Sequence, residues 1–287
     1  MSTTDESAAP PPAKTRDAAT VVVLRDGAAS GGQGMELYLV KRSRTVDFMA
    51  GAHVFPGGRL DKADSAPSAC ALLSADVAAL RERLGEPLPA AHAAGLFIAA
   101  IRETFEEAGL LLGRLAAGWN MNDARHAVAN GAQFSTLVER LDALALVPWV
   151  RWVTPEISPK RFDARFFLAR APEGQVPRVD GHEATEGQWI SPQEALERWE
   201  DGSMLLAPAT AKTIEMLLEY EAVADALAAG AKRPPPVAMP LVWTDKETGR
   251  AYISLPGDPR HPLPGVLGGS ICRLQLTEGR YRQVKAT

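Results

Sequence analysis

The feature that most restricts how this chain can fold is residues 98–110, IAAIRETFEEAGL. At about 100° per residue, Ile98, Ile101, Phe105 and Ala108 fall within about 80° of one another on a helix, and Glu103, Glu106 and Glu107 fall on the opposite side. One face is built for burial and the other gathers three carboxylates. Gly109 takes the left-handed C-terminal cap readily, so the spacing predicts a helix over residues 96–108.

Carboxylates at i, i+3 and i+4 repel, and no lysine or arginine lies four residues on to relieve them. Two readings are open. A divalent cation would neutralise the cluster, because Mg2+ and Mn2+ take oxygen ligands and side chains at this spacing project from adjacent turns towards one point. Alternatively, the glutamates form a solvated acidic surface. Arg102 lies between the two faces and could orient a glutamate from behind. Earlier in the chain, Phe55-Pro56-Gly57-Gly58 is a turn whose glycines let the backbone approach a ligand closely. Its carbonyls could reach the same metal and its N–H groups phosphate oxygens.

Around this helix the pattern mixes α and β. Residues 21–24 and 35–40 are short apolar runs separated by the glycine-rich RDGAASGGQG, as in a strand pair, and 52–55 is a third short strand. Residues 65–94 are alanine-rich, with a helix over 74–84 that takes Ser74 as N-cap and stops at Gly85. Periodicity predicts further helices over 122–130 and 134–143, and composition predicts strands over 149–153 and 165–169. Ser191-Pro192-Gln193-Glu194 sets Ser at the N-cap, Pro at N1 and Glu at N3, which starts a helix running to about Trp199. Residues 208–229 predict one long helix ended by Gly230. The linker AKRPPP then leads to a glycine- and proline-rich tail, read as a small β extension. The expected organisation is a disordered segment over 1–18, a main domain over 19–230 with a helical insertion at 65–94, and the linker with its extension over 231–287.

Composition excludes several classes. With 46% hydrophobic and 23% charged residues over 287 positions, the chain is neither fibrous nor wholly disordered. Its formal charge, 31 minus 35 or −4, gives no general footprint for nucleic acid or an anionic membrane, so a polyanionic substrate has to be held locally. Cys70 and Cys272 form no metal or redox motif and fit a reducing cytoplasm. No apolar run is long enough for a membrane helix, and the first 20 residues lack the apolar core of a secretory signal. The six tryptophans have no regular spacing and are assigned to core or rim.

The residues around the acidic helix resemble the Nudix box: a Gly, five residues, Glu, seven residues, then Arg-Glu-aliphatic-x-Glu-Glu-x-Gly-aliphatic. Arg102 through Leu110 resembles its second half, with Thr104 where an aliphatic residue is expected; Gly58 and Asp64 match the first half, with Asp in place of Glu. Between Asp64 and Arg102 stand 37 residues where the box has seven, an insertion of 37 − 7 = 30. The peroxisomal coenzyme A diphosphatase branch of the Nudix hydrolases is similar, since it also carries an insertion inside the box. It reads much like Ala52-His53-Val54-Phe55-Pro56-Gly57-Gly58 before the box, and the likeness extends through Arg161-Phe162-Asp163-Ala164-Arg165-Phe166-Phe167. The general coenzyme A signature is only partly present, because its Arg and His positions hold Asp47 and Met49.

The resemblance implies the Nudix fold, an α/β (α+β) arrangement with a mixed sheet sandwiched between helices. It also implies a hydrolase that cuts a diphosphate linkage, with Glu103, Glu106, Glu107 and Gly58 holding Mg2+ or Mn2+ and Arg102 behind them. Glu183 and Glu186 are candidates for the general base, in that order, because the family often places a glutamate before a Trp-aliphatic strand, here Trp189-Ile190. Arg42, Arg161 and Arg165 offer forked donors suited to phosphate, although an arginine on or beside a strand can simply face solvent. Phe55 and Gly57 would line the substrate turn, and His53 reads as structural. The substrate implied is coenzyme A or acyl-coenzyme A. ADP-ribose, NADH, a nucleoside triphosphate and a non-catalytic nucleotide sensor are the alternatives. The insertion is expected to cap the acyl or pantetheine end, and an exposed strand pair in the extension could complete a homodimer.

Overall fold

The computed structural model describes residues 13–27, 34–45, 49–263, 265 and 267–286. Most of residues 27–34, where the sequence predicts a glycine-rich turn, and Asp47 lie outside the described residues, as does most of the expected disordered segment. The fold is built round β1 (Arg16–Asp26), which starts ahead of the expected domain boundary. Its run of consecutive apolar residues is what a strand buried on both faces requires. Val21 and Val23 point into one hydrophobic cluster, Val22 and Leu24 into another. The second half of β1 pairs antiparallel with β2 (Met35–Arg42), and β3 (His53–Val54) closes on the end of β2. The first half pairs antiparallel with β4 (Gly57–Arg59), Ala19 opposite Gly58.

The inserted segment is helical, as expected, but it is not a separate piece. α1 (Pro67–Cys70) and α2 (Val77–Leu84) lead into α3 (Ala90–Ala108), so the acidic helix begins within the insertion and runs 19 residues. Gly109 ends it in the left-handed conformation, φ 67°. The cap of α2 is Asp76 and not Ser74: Asp76 Oδ1 accepts from the N–H groups of Ala78 and Ala79, while the N–H of Ser74 is drawn to the Leu141 carbonyl.

β5 (Gly113–Leu115) follows, then α4 (Met121–Ala129), capped by Asn120. Residues 134–143 are not a helix. A 3-10 turn at Phe134–Thr136 leads into β6 (Val138–Leu141), which pairs with β5. Both Val138 and Leu141 are buried, at a helix-like spacing, because a register irregularity between Arg114 and Leu115 in the pairing lets a strand turn both inward.

β7 (Val147–Val153) pairs antiparallel with β8 (Phe162–Arg170), which lies parallel to β1 over nine positions, and β9 (Ala184–Ile190) pairs with β2. α5 (Pro192–Glu200) starts where the capping residues place it, with Ser191 Oγ accepting from the Glu194 N–H. The long helix expected over 208–229 is two, α6 (Pro208–Glu215) and α7 (Val223–Ala231). The break lets Leu217 and Val223 bury in the same cluster and sets Tyr220 edge-on to Trp149, at 5.9 Å between centroids.

β10 (Val237–Ala238) adds a parallel edge strand beside β7, giving an eight-stranded sheet in the order β10-β7-β8-β1-β2-β3 with β4 on β1 and β9 on β2. The extension folds as an antiparallel sheet of β11 (Leu241–Thr244), β12 (Ala251–Ser254), β13 (Arg273–Thr277) and β14 (Arg280–Gln283). One face of the large sheet packs against α2 and α3. The other packs against α5, α6 and α7 and shares its core with Ile253, Leu255, Ile271 and Leu274 of the extension. Among the described residues no helix is long and apolar enough to cross a membrane.

Candidate active site

α3 lays Phe97, Ile98, Ile101 and Phe105 on the sheet and turns its carboxylates towards β4. The contact with β4 requires glycine. A Cβ on Gly58 would lie 2.4 to 2.6 Å from the carboxylate atoms of Glu103, and the Gly57 N–H donates to Glu107 Oε2 at 3.0 Å.

Arg102 organises the cluster from behind. Its Nε and Nη2 grip Asp64 Oδ1 and Oδ2, both at 3.0 Å, and Nη2 also donates to the Arg59 carbonyl at 2.9 Å. Nη1 reaches Glu103 Oε1 at 2.8 Å and Glu106 Oε2 at 3.2 Å. Asp64, a short substitute for glutamate across a 30-residue insertion, is therefore a buried anchor for Arg102. Thr104, the other departure from the expected pattern, returns its hydroxyl to the Ala100 carbonyl at 2.7 Å and so carries no unmet hydrogen bond.

Burial raises the proton affinity of all three glutamates. Glu107 is pushed up to about 8, by burial first and then by the Glu103 charge, against the pull of the Gly57 N–H and of Arg42. Glu106 is pushed up to about 7, chiefly by burial, which outweighs the attraction of Arg102. Glu103 is also raised, by burial. One guanidinium does not offset three carboxylates, one buried and two half-buried, and oxygen donors of this kind suit a hard divalent cation. As the side chains stand, no group of three or more His, Cys, Asp or Glu residues among the described residues is set to hold a metal ion. Nη1 of Arg102 sits between Glu103 and Glu106, and Glu107 faces Gly57. The oxygen donors are of the right chemistry for a divalent ion, but Glu103 and Glu106 would have to turn from Nη1 to share one, with Arg102 still fixed by Asp64.

Glu183 and Glu186 separate clearly. Glu183 lies close enough to raise the proton affinity of both Glu103 and Glu107, and its carboxylate has no hydrogen bond or ion pair among the described residues. Glu186 is exposed and paired with Lys41 at 3.0 Å, which lowers its pKa. Arg42 stands near Glu107.

Three candidate substrate contacts are engaged within the protein itself. Phe55 is buried in the core, edge-on to Phe166 with centroids 6.2 Å apart. Gly57 gives its N–H to Glu107 and abuts β1, where a Cβ would meet the Ala19 carbonyl at 2.5 Å. Arg165 is 2% exposed, and all its nitrogens are engaged: Nε and Nη2 hold Glu86 at 3.0 and 2.6 Å, and Nη1 bonds Asp17 and the Asp163 carbonyl. Arg161 binds the carbonyls of Thr154 and Ala13 and borders a separate cleft. His53, read as structural, is buried.

Sequence reasoning missed Arg125. It reaches from α4 to the last turn of α3, donating from Nη2 to the Glu106 carbonyl at 3.1 Å, where a cation complements the helix dipole. Its place depends on how α4 folds back, which no local pattern signals.

A carboxylate helix packed against a glycine turn at the edge of a mixed sheet is the arrangement of a Nudix hydrolase. The crystal structure of a Nudix hydrolase from Alicyclobacillus acidocaldarius shares it with a TM-score of 0.58 and 28% identity, over 75% of this chain and 96% of that one. More narrowly, residues 74–217, which are 144 of 287, match the family model of the NUDT19 Nudix domain, and the chain belongs to that family. It is 32% identical to an acyl-coenzyme A diphosphatase NUDT19 of Gallus gallus and 30% identical to that of Homo sapiens, over 67% of this chain in each case. The chain spans 65% and 63% of the lengths of these two relatives.

Proposed function

We propose that the protein hydrolyses the diphosphate linkage of coenzyme A or acyl-coenzyme A, releasing phosphopantetheine or its acylated form and adenosine 3′,5′-bisphosphate. The observation that carries this reading is the set of Glu103, Glu106 and Glu107 on one helix beside Gly57 and Gly58, the first two bonded to Arg102 and the buried Glu107 to the Gly57 N–H. The acyl-coenzyme A diphosphatase relatives supply the substrate class.

Glu103, Glu106 and Glu107 with the Gly58 carbonyl would hold Mg2+ or Mn2+, which when bound would supply the positive charge that phosphoryl transfer needs on its oxygens. Glu183 takes the proton of the attacking water, being a carboxylate beside the cluster with no bond among the described residues. The water oxygen bonds to phosphorus, the bridging P–O bond breaks, and the leaving phosphate carries away the electron pair. Arg42 orients the diphosphate with its forked donors. Arg102, fixed by its grip on Asp64, stays behind Glu103 and Glu106 as a positive charge when they turn to the metal. In this reading the protein works in the cytoplasm, where its two cysteines, Cys70 and Cys272, stay reduced.

The experiment is product analysis with Mg2+ and with Mn2+ on acyl-coenzyme A, coenzyme A, ADP-ribose, NADH and nucleoside triphosphates. Glu106→Gln and Glu107→Gln should each lower kcat about a hundredfold or more, in line with the loss of a metal ligand. Glu183→Gln should lower it about 10²- to 10⁴-fold, as for loss of a general base, while Glu186→Gln stays within about tenfold of the parent. A preference for ADP-ribose, NADH or a triphosphate would overturn the substrate. Nucleotide binding without turnover of any compound would make the protein a sensor.

A further inference from the structure

At the N-terminal end of β1 lies a cleft of about 950 Å3, a size that accommodates a small-molecule ligand. Six cations line it, Lys14, Arg16, Arg59, Lys62, Lys160 and Arg161, against two carboxylates. Both carboxylates are engaged: Asp17 by Arg165 and His92, and Asp61 by Arg102 at 3.8 Å. The side chains of Lys14, Arg16, Arg59 and Lys62 make no hydrogen bond or ion pair among the described residues. Four unpaired cations round one cleft repel one another, in a chain whose net charge is −4. An anion bound there would relieve that repulsion, and a phosphate would also meet donors suited to its oxygens.

The cleft and the carboxylate site share a strand. Gly58 packs on Glu103, and the next residue, Arg59, lines the cleft, with successive Cα atoms about 3.8 Å apart. Arg102 joins the two sites, holding Glu103 and Glu106 on one side while meeting the Arg59 carbonyl and Asp61 on the other.

We propose that this cleft binds a phosphomonoester carried by the same substrate molecule whose diphosphate is cut. The inference deepens the function proposed above and rests on it. Coenzyme A carries one such group, on its ribose 3′ oxygen, whereas ADP-ribose and NADH carry none. The cleft therefore selects among diphosphates that present the same scissile linkage to the glutamates.

The test uses the full chain and its Arg59→Gln/Lys62→Gln variant. The ratio of kcat/KM for coenzyme A to that for 3′-dephospho-coenzyme A should be about tenfold or more in the parent, the equivalent of one charge-assisted contact, and should collapse towards unity in the variant. Calorimetric titration with adenosine 3′,5′-bisphosphate should show about a tenfold weaker Kd in the variant, with adenosine 5′-monophosphate unchanged. The thermal midpoint should hold or rise, since the replaced side chains make no bonds. An unchanged ratio together with unchanged bisphosphate affinity overturns the proposal. So does weakened binding of inorganic phosphate with an unchanged ratio, which would assign the cleft to a separate phosphate ligand. If neither coenzyme is hydrolysed, the functional reading fails and the bisphosphate titration alone decides the cleft.

Discussion

Burial holds the carboxyl of Glu107 at about 8 and that of Glu106 at about 7, against an ordinary value of 4.5 in the unfolded chain. Between that value and 8 the folded protein therefore binds more protons than the unfolded one, and stability falls as pH rises through the window. The metal-free protein should lose several degrees of thermal midpoint from pH 5 to pH 8, and Glu107→Gln should remove much of that slope. Added Mg2+ should stabilise more at pH 8 than at pH 5, because the metal competes with the bound protons. A midpoint independent of pH in metal-free buffer would contradict the burial of these groups. The three glutamates and Arg102 were legible in the sequence because a helix places them by spacing alone. The fate of Arg165 was not, since its partner Glu86 stands 79 residues earlier and is brought to it only by the folded insertion. Phe55 illustrates the same limit, as nothing in a Phe-Pro-Gly-Gly turn says which way the ring points.

Among elements, the insertion is tied into the core: Leu80 and Leu84 of α2 are buried in the same cluster as α3 and the sheet. Arg83 donates to the carbonyls of Ala143 and Leu146, and Glu86 joins Arg151 at 2.9 Å and Arg165 at 2.6 Å. Removing one member of such a buried network costs about 3 to 5 kcal/mol. Glu86→Ala should fall near the lower end, because Asp163 and Asp17 still hold the arginines. The urea midpoint measures it; a loss below about 1 kcal/mol, the worth of an exposed pair, would mean the insertion is not tethered through Glu86. Shortening residues 65–94 would therefore disrupt folding before it informed on catalysis. Helices that carry their own caps, such as α5, were placed correctly from sequence. The split between α6 and α7 was not, because residues 216–222 contain neither Gly nor Pro and the break is set by what each half packs against.

For the molecule as a whole, the extension belongs to the structure of the main domain more than its proline-rich linker suggested. β10 joins the main sheet, and Lys212 and Glu215 of α6 are buried under the loop ahead of β13. Lys212 pairs with Glu215 at 2.6 Å and with the Gly268 carbonyl, and Glu215 accepts from the backbone N–H groups of Ser270 and Ile271. A chain ending near Lys232 loses these partners along with the buried Leu255, Ile271 and Leu274. It should be recovered as an aggregate or unfold far below the full chain. A well-folded truncation, whatever its oligomeric state, would show that the two parts are independent. Lys212 and Glu215 also leave the ribosome more than fifty residues before Gly268, Ser270 and Ile271 do. During synthesis α6 must keep both charges in water until the loop ahead of β13 has emerged, so the second core closes only after that later segment is made, and the middle of the chain is finished by residues that follow it at a distance.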